Sequence, residues 1–108
     1  MPKGKHFVLK ELMDKLDKRQ DTPFVQTRRD QHIVVGLYQP HQPDRQSPHS
    51  RDEYYFVASG EASITVADET FSVSSGDAVF VPAHTDHKFA ETSADFSCWV
   101  LFYGPDAT

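Results

Sequence analysis

Short β-type segments fill the chain from residue 24 onwards, and this feature restricts the possible folds more than any other. The segments are four to eight residues long, rich in β-branched and aromatic residues, and separated by turns or proline-containing loops. This spacing is typical of a β-sandwich or a closed barrel. The predicted strands cover residues 24–28, 32–39, 53–59, 62–67, 70–73, 78–81, 87–91 and 96–103.

One amphipathic helix is predicted before the strands, at about residues 7–18. Apolar residues recur there at helical spacing, with lysine and aspartate between them. The segment from Gln20 to Pro23 should end it, because the residue before a proline is disfavoured in the helical region. We expect the helix to lie on a barrel of about residues 24–103, as a lid or flank. The apolar positions are Val8, Leu9, Leu12, Met13 and Leu16.

Length and composition restrict the class of protein. The 108 residues predict a single domain, 1–108, which is long enough to bury a core. No apolar run approaches the roughly 20 residues of a membrane span, and the N-terminal stretch is amphipathic rather than an apolar signal core. We therefore predict a cytoplasmic protein without a membrane partner. The net charge of −5 argues against nucleic acid as a partner.

The last predicted strand, 96–103, is apolar on both faces. One face should fill the barrel, although the pattern does not say which, and the other should be covered by the helix or by a second subunit. This predicts a homodimer. Cys98, the single cysteine, alternates with Phe96 and Val100 and is interpreted as a small core residue rather than a reactive thiol.

Two histidine-bearing turns carry the candidate site. His49 and Glu53 precede an apolar strand, and His87 begins another. A fully extended chain would separate His49 from Glu53 by about 13 Å, so residues 50–52 must bend if both bind one ion. Two imidazoles and one carboxylate suit a divalent transition metal such as Fe, Mn, Ni, Co or Zn better than Mg or Ca. The sequence therefore predicts a metal site with open positions for solvent or substrate.

The spacing of the two turns resembles the paired motifs of the cupin superfamily. The first motif has a histidine, three residues, a glutamate, six residues and a glycine; the second has a glycine, five residues, a proline, four residues and a histidine. The resemblance implies an all-β fold, the cupin-type double-stranded β-helix or jelly-roll barrel, here with one N-terminal α-helix. The matching positions are His49, Glu53, Gly60, Gly76, Pro82 and His87.

The chain departs from the family pattern at one ligand position. Ser47 stands where the first motif usually has another histidine, and His84 replaces the glycine that often follows the proline. The resemblance therefore implies three ligands, His49, Glu53 and His87, unless His84, His41 or Gln46 fills the gap.

Strand alternation predicts which side chains surround the site. If Glu53 points inward, Tyr55 and Val57 do so as well. The pocket would then be mostly apolar with a few polar points, which is typical of a small-molecule site. Tyr55 is the candidate catalytic residue, as a substrate-orienting or proton-transferring hydroxyl; the alternative is a packed core tyrosine.

Three functions fit this sequence. The first is a metal-dependent enzyme of the dioxygenase, isomerase or lyase type, which the resemblance to cupins implies, acting on a small substrate that coordinates through oxygen. The second is a non-catalytic module that binds a small ligand or a metal. The third is a metal-free protein in which His49, Glu53 and His87 transfer protons.

Overall fold

The computed structural model describes residues 3–18 and 22–104. Within these residues the chain forms one helix followed by eight strands. The element boundaries agree with the predicted ones to within two residues. Gly60 and Gly76 take the positive φ angles of +77° and +97° at turns where other residues would be strained. The elements are α1 Leu9–Lys18, β1 Phe24–Arg29, β2 Ile33–Tyr38, β3 Asp52–Ser59, β4 Glu61–Val66, β5 Glu69–Ser74, β6 Ala78–Val81, β7 His87–Ala90 and β8 Ser97–Tyr103.

The strands form two antiparallel sheets. The first has the order β1-β2-β8-β3-β6 and the second the order β5-β4-β7. The last strand, β8, pairs with both β2 and β3, so the end of the chain is inserted in the centre of the larger sheet. This arrangement is a jelly-roll, or double-stranded β-helix, with one short helix, and it confirms the predicted fold class.

An apolar core joins the facing sides of the two sheets. Along β3, Glu53, Tyr55 and Val57 are buried and Phe56 is exposed, as the alternation predicts. Ile64 of the smaller sheet is completely buried in the same core. Glu53 is therefore a carboxylate buried on the inner face of β3, next to this apolar core.

The structure assigns the two faces of β8. Cys98 and Val100 belong to the core between the sheets, whereas Trp99 packs against the cluster around the helix. Cys98 is fully buried, and burial raises the pKa of its thiol well above the ordinary value. Cys98 is thus a core residue, as predicted. The inward face could not be read from the sequence, because both faces of the strand are covered by apolar side chains.

Helix α1 covers one half of the outer face of the larger sheet. Leu12 and Leu16 pack with Val25, Leu37 and the partly buried Trp99. The contact confirms that the helix flanks the barrel and covers part of the second face of β8.

The observed helix starts later than predicted. It begins at Leu9 rather than at residue 7, and Val8 lies before it with 36% of its surface exposed. Residues 20 and 21 of the predicted break between Gln20 and Pro23 lie outside the described residues. Among the residues described, no helix is long and apolar enough to cross a bilayer.

The outer face of the larger sheet carries a group of aromatic rings on β3, β6 and β8, beyond the part that helix α1 covers. Tyr54 of β3 is paired with Phe80 of β6, and their ring centroids are 5.1 Å apart. Tyr54 also stacks on Phe56 and on Tyr103 of β8. Phe56 and Phe80 are 43% and 42% exposed. We call these four residues the outer aromatic face.

Candidate metal centre

Bends before β3 bring His49 and Glu53 together. Ser50 and Arg51 are bent, and Glu53 is the first inward-pointing residue of β3. The Nε2 atom of His49 lies 3.8 Å from Oε1 of Glu53, far closer than an extended chain would allow. The bend that the sequence requires for a shared ion is therefore present.

His87 reaches the same point from the smaller sheet. It is the first residue of β7, and its Nε2 atom lies 3.0 Å from Oε1 of Glu53. One possible ligand atom from each of His49, Glu53 and His87 falls within 4.8 Å of the others. The structure thus brings together the three side chains that the motif spacing selects.

The donor atoms of this group are suited to a cation. The Nδ1 atom of His87 is 2.8 Å from the carbonyl oxygen of Thr85, which can only accept, so Nδ1 carries a proton. A neutral His87 then directs the lone pair of Nε2 towards the carboxylate of Glu53. Among the described residues, neither oxygen of Glu53 nor Nε2 of His87 has a hydrogen-bond partner, although all three atoms are buried. Such a set is stable only if a metal ion or a proton lies between the donors.

The two histidines differ in acidity. Burial lowers the pKa of His49, with the neighbouring His87 adding to the effect and Glu53 opposing it. Burial also acts to lower the pKa of His87, but Glu53 and the Thr85 carbonyl outweigh it, and the pKa of His87 is raised. His49 therefore loses its proton at lower pH than His87 does.

Tyr55 is buried beside this group. Only 1% of its surface is exposed, and its hydroxyl donates to Oε1 of Gln46 over 3.1 Å. Burial raises the pKa of Tyr55 well above the ordinary value, so the side chain is a hydroxyl donor and not a phenolate. Its role towards a substrate stays a prediction.

The structure distinguishes the residues considered for the missing ligand position. Ser47 and His41 are exposed. His84 is also exposed and takes a left-handed backbone conformation with φ of 62°, at the position where the family often has glycine. By contrast, Oε1 of Gln46 lies 3.4 Å from Nε2 of His49. Gln46 is therefore the candidate whose donor atom is next to a predicted ligand.

The sequence analysis did not identify Asp44, a buried residue of the loop between β2 and β3. Its carboxylate accepts hydrogen bonds from Gln46, from the Tyr38 hydroxyl and from the backbone N–H of Phe89. Its position in a proline-rich loop resembles that of an ordinary solvated acid, so the sequence contains no signal that distinguishes it. Only the fold shows that this carboxylate is inside.

A cleft of about 1020 Å³ leads to the group. His49 and Tyr55 line it, whereas Glu53 and His87 are buried behind them. An ion held by the three would be reached from the side of His49. The charged side chains along the cleft are three arginines and one aspartate, namely Arg29, Arg45, Arg51 and Asp44.

Comparisons with known proteins agree with this architecture. A family model described as "Cupin domain" matches residues 34–103. An uncharacterized protein of Streptomyces coelicolor is 43% identical over 89 residues, covering 81% of this chain and 85% of that protein.

Solved structures share the fold at low sequence identity. A double-stranded β-helix protein from Klebsiella pneumoniae aligns with a TM-score of 0.77 and 15% identity, over 98% of this chain and 95% of that chain. The DMSP lyase DddQ from Ruegeria pomeroyi aligns with a TM-score of 0.64 and 21% identity, over 80% of this chain and 49% of that chain.

Proposed function

This chain belongs to the cupin domain family, and from that premise we propose that it is a metal-dependent enzyme for a small substrate with oxygen donor atoms. His49, Glu53 and His87 would be the protein ligands of the metal. The observation that carries the proposal is the buried contact of 3.0 Å between His87 Nε2 and Glu53 Oε1, in which neither atom has a hydrogen bond within the described residues. Buried acceptor atoms that remain unsatisfied are unfavourable unless a cation or a proton pairs with them.

The ligand set is suited to Fe, Mn, Ni, Co or Zn, because imidazole binds these ions well. Such an ion would polarise a substrate oxygen as a Lewis acid or, if it is redox-active, activate dioxygen. The surrounding residues would orient the substrate. Tyr55 lines the cleft, and its hydroxyl oxygen can accept a hydrogen bond from a substrate while its proton is donated to Gln46. The apolar side chains Val100 and Phe102 line the same cleft.

The cleft combines apolar and polar side chains, which is typical of a site for a small organic molecule. That a DMSP lyase has the same fold supports catalysis of small-molecule reactions by such a barrel, as an analogy at the level of the fold alone.

A metal-free acid–base function is the second candidate, and one observation favours it. A proton on Nε2 of His87 would satisfy the contact with Glu53, and the raised pKa of His87 is in the direction that retains this proton. In that case the histidine and the carboxylate would form an ion pair that exchanges protons with a substrate. A non-catalytic module that binds a metal or a small ligand would use the same residues without a reaction.

Elemental analysis of protein purified without chelator tests the proposal. We expect about one Fe, Mn, Ni, Co or Zn per chain, or stoichiometric uptake of one of these ions by the metal-free protein. Absence of both would reject the metal centre and leave the acid–base function. Oxygen consumption with a panel of small carboxylates, diketones and phenols then separates an oxygenase from an isomerase or lyase. If the metal-loaded protein converts none of these compounds but one of them raises its thermal stability, the protein is a non-catalytic binding module.

We also propose that two copies associate through the outer aromatic face. Its four rings lie on the outer side of three neighbouring strands, β8, β3 and β6, and a two-fold axis would bury these rings against the same rings of a second copy. A cytoplasmic location stays part of the proposal and is supported by the single, buried, unpaired cysteine.

A further inference from the structure

We propose that Gln46 supplies a fourth protein donor to this metal centre through its side-chain oxygen Oε1, and that Asp44 is the positioning residue that directs this oxygen. The inference rests on the proposed metal function, with His49, Glu53 and His87 as the other ligands. It identifies which residue takes the place of the histidine that the family pattern has at Ser47.

The hydrogen bonds of Gln46 determine which end of its amide faces the site. The Nε2 atom is 2.9 Å from Oδ2 of Asp44. A carboxylate only accepts, so the atom that faces it must be the amide NH2 group. The carbonyl oxygen is then directed away from Asp44, towards Tyr55 and His49, at 3.1 Å and 3.4 Å.

Asp44 is held in a fixed orientation. Its oxygens accept from the Tyr38 hydroxyl, from the backbone N–H of Phe89, and from both the backbone and the side chain of Gln46. Four donors occupy the acceptor positions of the carboxylate, and only 9% of the residue is exposed. Phe89 follows His87 on β7, so one side chain ties the loop to the strand that bears a ligand.

The backbone of Gln46 is held as well. Its N–H donates to Asp44, and its carbonyl oxygen accepts from the ammonium group of Lys88. Because both backbone groups and the amide NH2 have partners, the side-chain oxygen is preorganised. Without these hydrogen bonds, a loop side chain would not keep its oxygen in a fixed position for an ion.

The distance between Gln46 and His49 is that of two donors that share an ion. Two atoms bound about 2.1 Å from a tetrahedral ion lie about 3.4 Å apart. The Gln46 oxygen is 3.4 Å from Nε2 of His49, and the His49–Glu53 and Glu53–His87 contacts are 3.8 Å and 3.0 Å. In the metal-free protein this oxygen accepts from the Tyr55 hydroxyl and from Nε2 of His49. When the ion replaces the proton on His49, one lone pair of the oxygen still accepts from Tyr55 and the other can bind the ion. An amide is uncharged, like the neutral histidine that it would replace, so the net charge of the site is the same with either ligand.

Cobalt and zinc binding to the full chain test this inference. The dissociation constant for Zn²⁺ is measured by chelator competition at pH 8, and the visible absorption of the Co²⁺ form reports the number and type of ligands. We expect Gln46→Ala to weaken Zn²⁺ binding about tenfold or more and to change the Co²⁺ spectrum. Asp44→Asn should change both in the same direction, because an asparagine can also donate and lets the Gln46 amide turn. Gln42→Ala, the same substitution in the same loop, should leave both unchanged.

The outcomes separate this inference from the function on which it rests. If the wild-type protein binds the metal and Gln46→Ala keeps its affinity and spectrum, Gln46 is not a ligand, and the three-residue metal centre stands. If the wild-type protein binds neither ion, the metal function itself is rejected and the inference falls with it. Circular dichroism of each variant shows whether it is folded. Should Asp44→Asn unfold, Gln46→Ala, a change at a half-buried loop position, decides the question.

Discussion

The Nε2 atom of His87 lies 3.0 Å from Oε1 of Glu53, and the two residues come from opposite sheets of the barrel. Both are nearly inaccessible to solvent. Since Nδ1 of His87 donates to the Thr85 carbonyl, the neutral ring presents a lone pair to a carboxylate. Two electron-rich groups at this distance in a buried place need a positive charge between them. This one contact distinguishes the site from ordinary core packing, and most of the following predictions depend on it.

Removal of either imidazole should remove the metal. We expect His49→Ala and His87→Ala each to weaken Zn²⁺ binding by about a hundredfold or more, which is ~3 kcal/mol, since each deletes one of the few protein donors. The measurement is the metal content after gel filtration together with the dissociation constant from chelator competition. His41→Ala is the matched control, because His41 lines the same cleft but is exposed and makes no contact with Glu53 that the structure records. Full stoichiometry in both ligand variants would contradict the site.

Metal affinity should rise with pH in a single step. A proton on Nε2 of His87 competes with the ion. Because the pKa of this group is raised, the competition extends to pH values above 6.5, the ordinary pKa of histidine. His49, with a lowered pKa, is already deprotonated there. Chelator competition from pH 5.5 to 8.5 should therefore show the dissociation constant falling about tenfold per pH unit below the pKa of His87 and levelling above it. A constant affinity across this range would exclude His87 as a ligand.

In the metal-free protein, the stability that His87 contributes to the fold should fall as the pH rises. A raised pKa in the folded state means that protonated His87 stabilises the fold below about pH 6.5 and that this contribution is lost as the pH rises through the folded pKa. With chelator present, the difference in thermal midpoint between the wild type and His87→Gln should shrink from pH 5.5 to pH 8.5. A difference that grows with pH would show that His87 is not paired with Glu53.

Glu53→Gln should stabilise the metal-free protein while it weakens the metal centre. At pH 8.5 the wild type buries a carboxylate without a hydrogen bond in the described residues, whereas a glutamine amide can donate to His87 Nε2. We expect a gain of about 1 kcal/mol, or roughly 4–8 °C in thermal midpoint. Zn²⁺ binding should weaken about tenfold or more, because the anionic ligand of the ion is replaced by a neutral one.

Glu61→Gln is the control for this substitution, because Glu61 is exposed. It should change neither the thermal midpoint of the metal-free protein nor its affinity for Zn²⁺. A lower midpoint for metal-free Glu53→Gln would show that the carboxylate is satisfied without a metal.

Loss of rings from the outer aromatic face should dissociate the proposed homodimer. Phe56→Ser and Phe80→Ser each remove an exposed ring from this face, and each should weaken association about tenfold or more, given about 1.5–3 kcal/mol for a buried phenylalanine. Sedimentation velocity over a range of concentrations measures the effect. Phe71→Ser is the matched control, because Phe71 is 40% exposed but belongs to β5 of the other sheet. A wild-type protein that is monomeric at every concentration would reject the interface.

Most of the fold was predictable because its signals are local. Alternation along β3 predicts that Glu53 and Tyr55 share the inner face, and apolar residues at helical spacing predict the flanking helix. Motif spacing selects His49 and His87 before any contact is known. The structure brings these side chains together, while metal binding by them stays a prediction.

The amino-acid sequence by itself determined the strand succession and the helix, since both depend on periodicity within a short segment. It also singled out the three side chains of the candidate centre, because the spacing of two separate motifs resembles the cupin pattern. The tertiary structure alone decided which face of β8 is inside and that Gln46, rather than His41 or His84, lies beside His49. The physical reason is that both questions depend on contacts between segments far apart in the chain. The amide of Gln46 is oriented by Asp44, which is buried by β7 some 45 residues later, and no local pattern records such a contact.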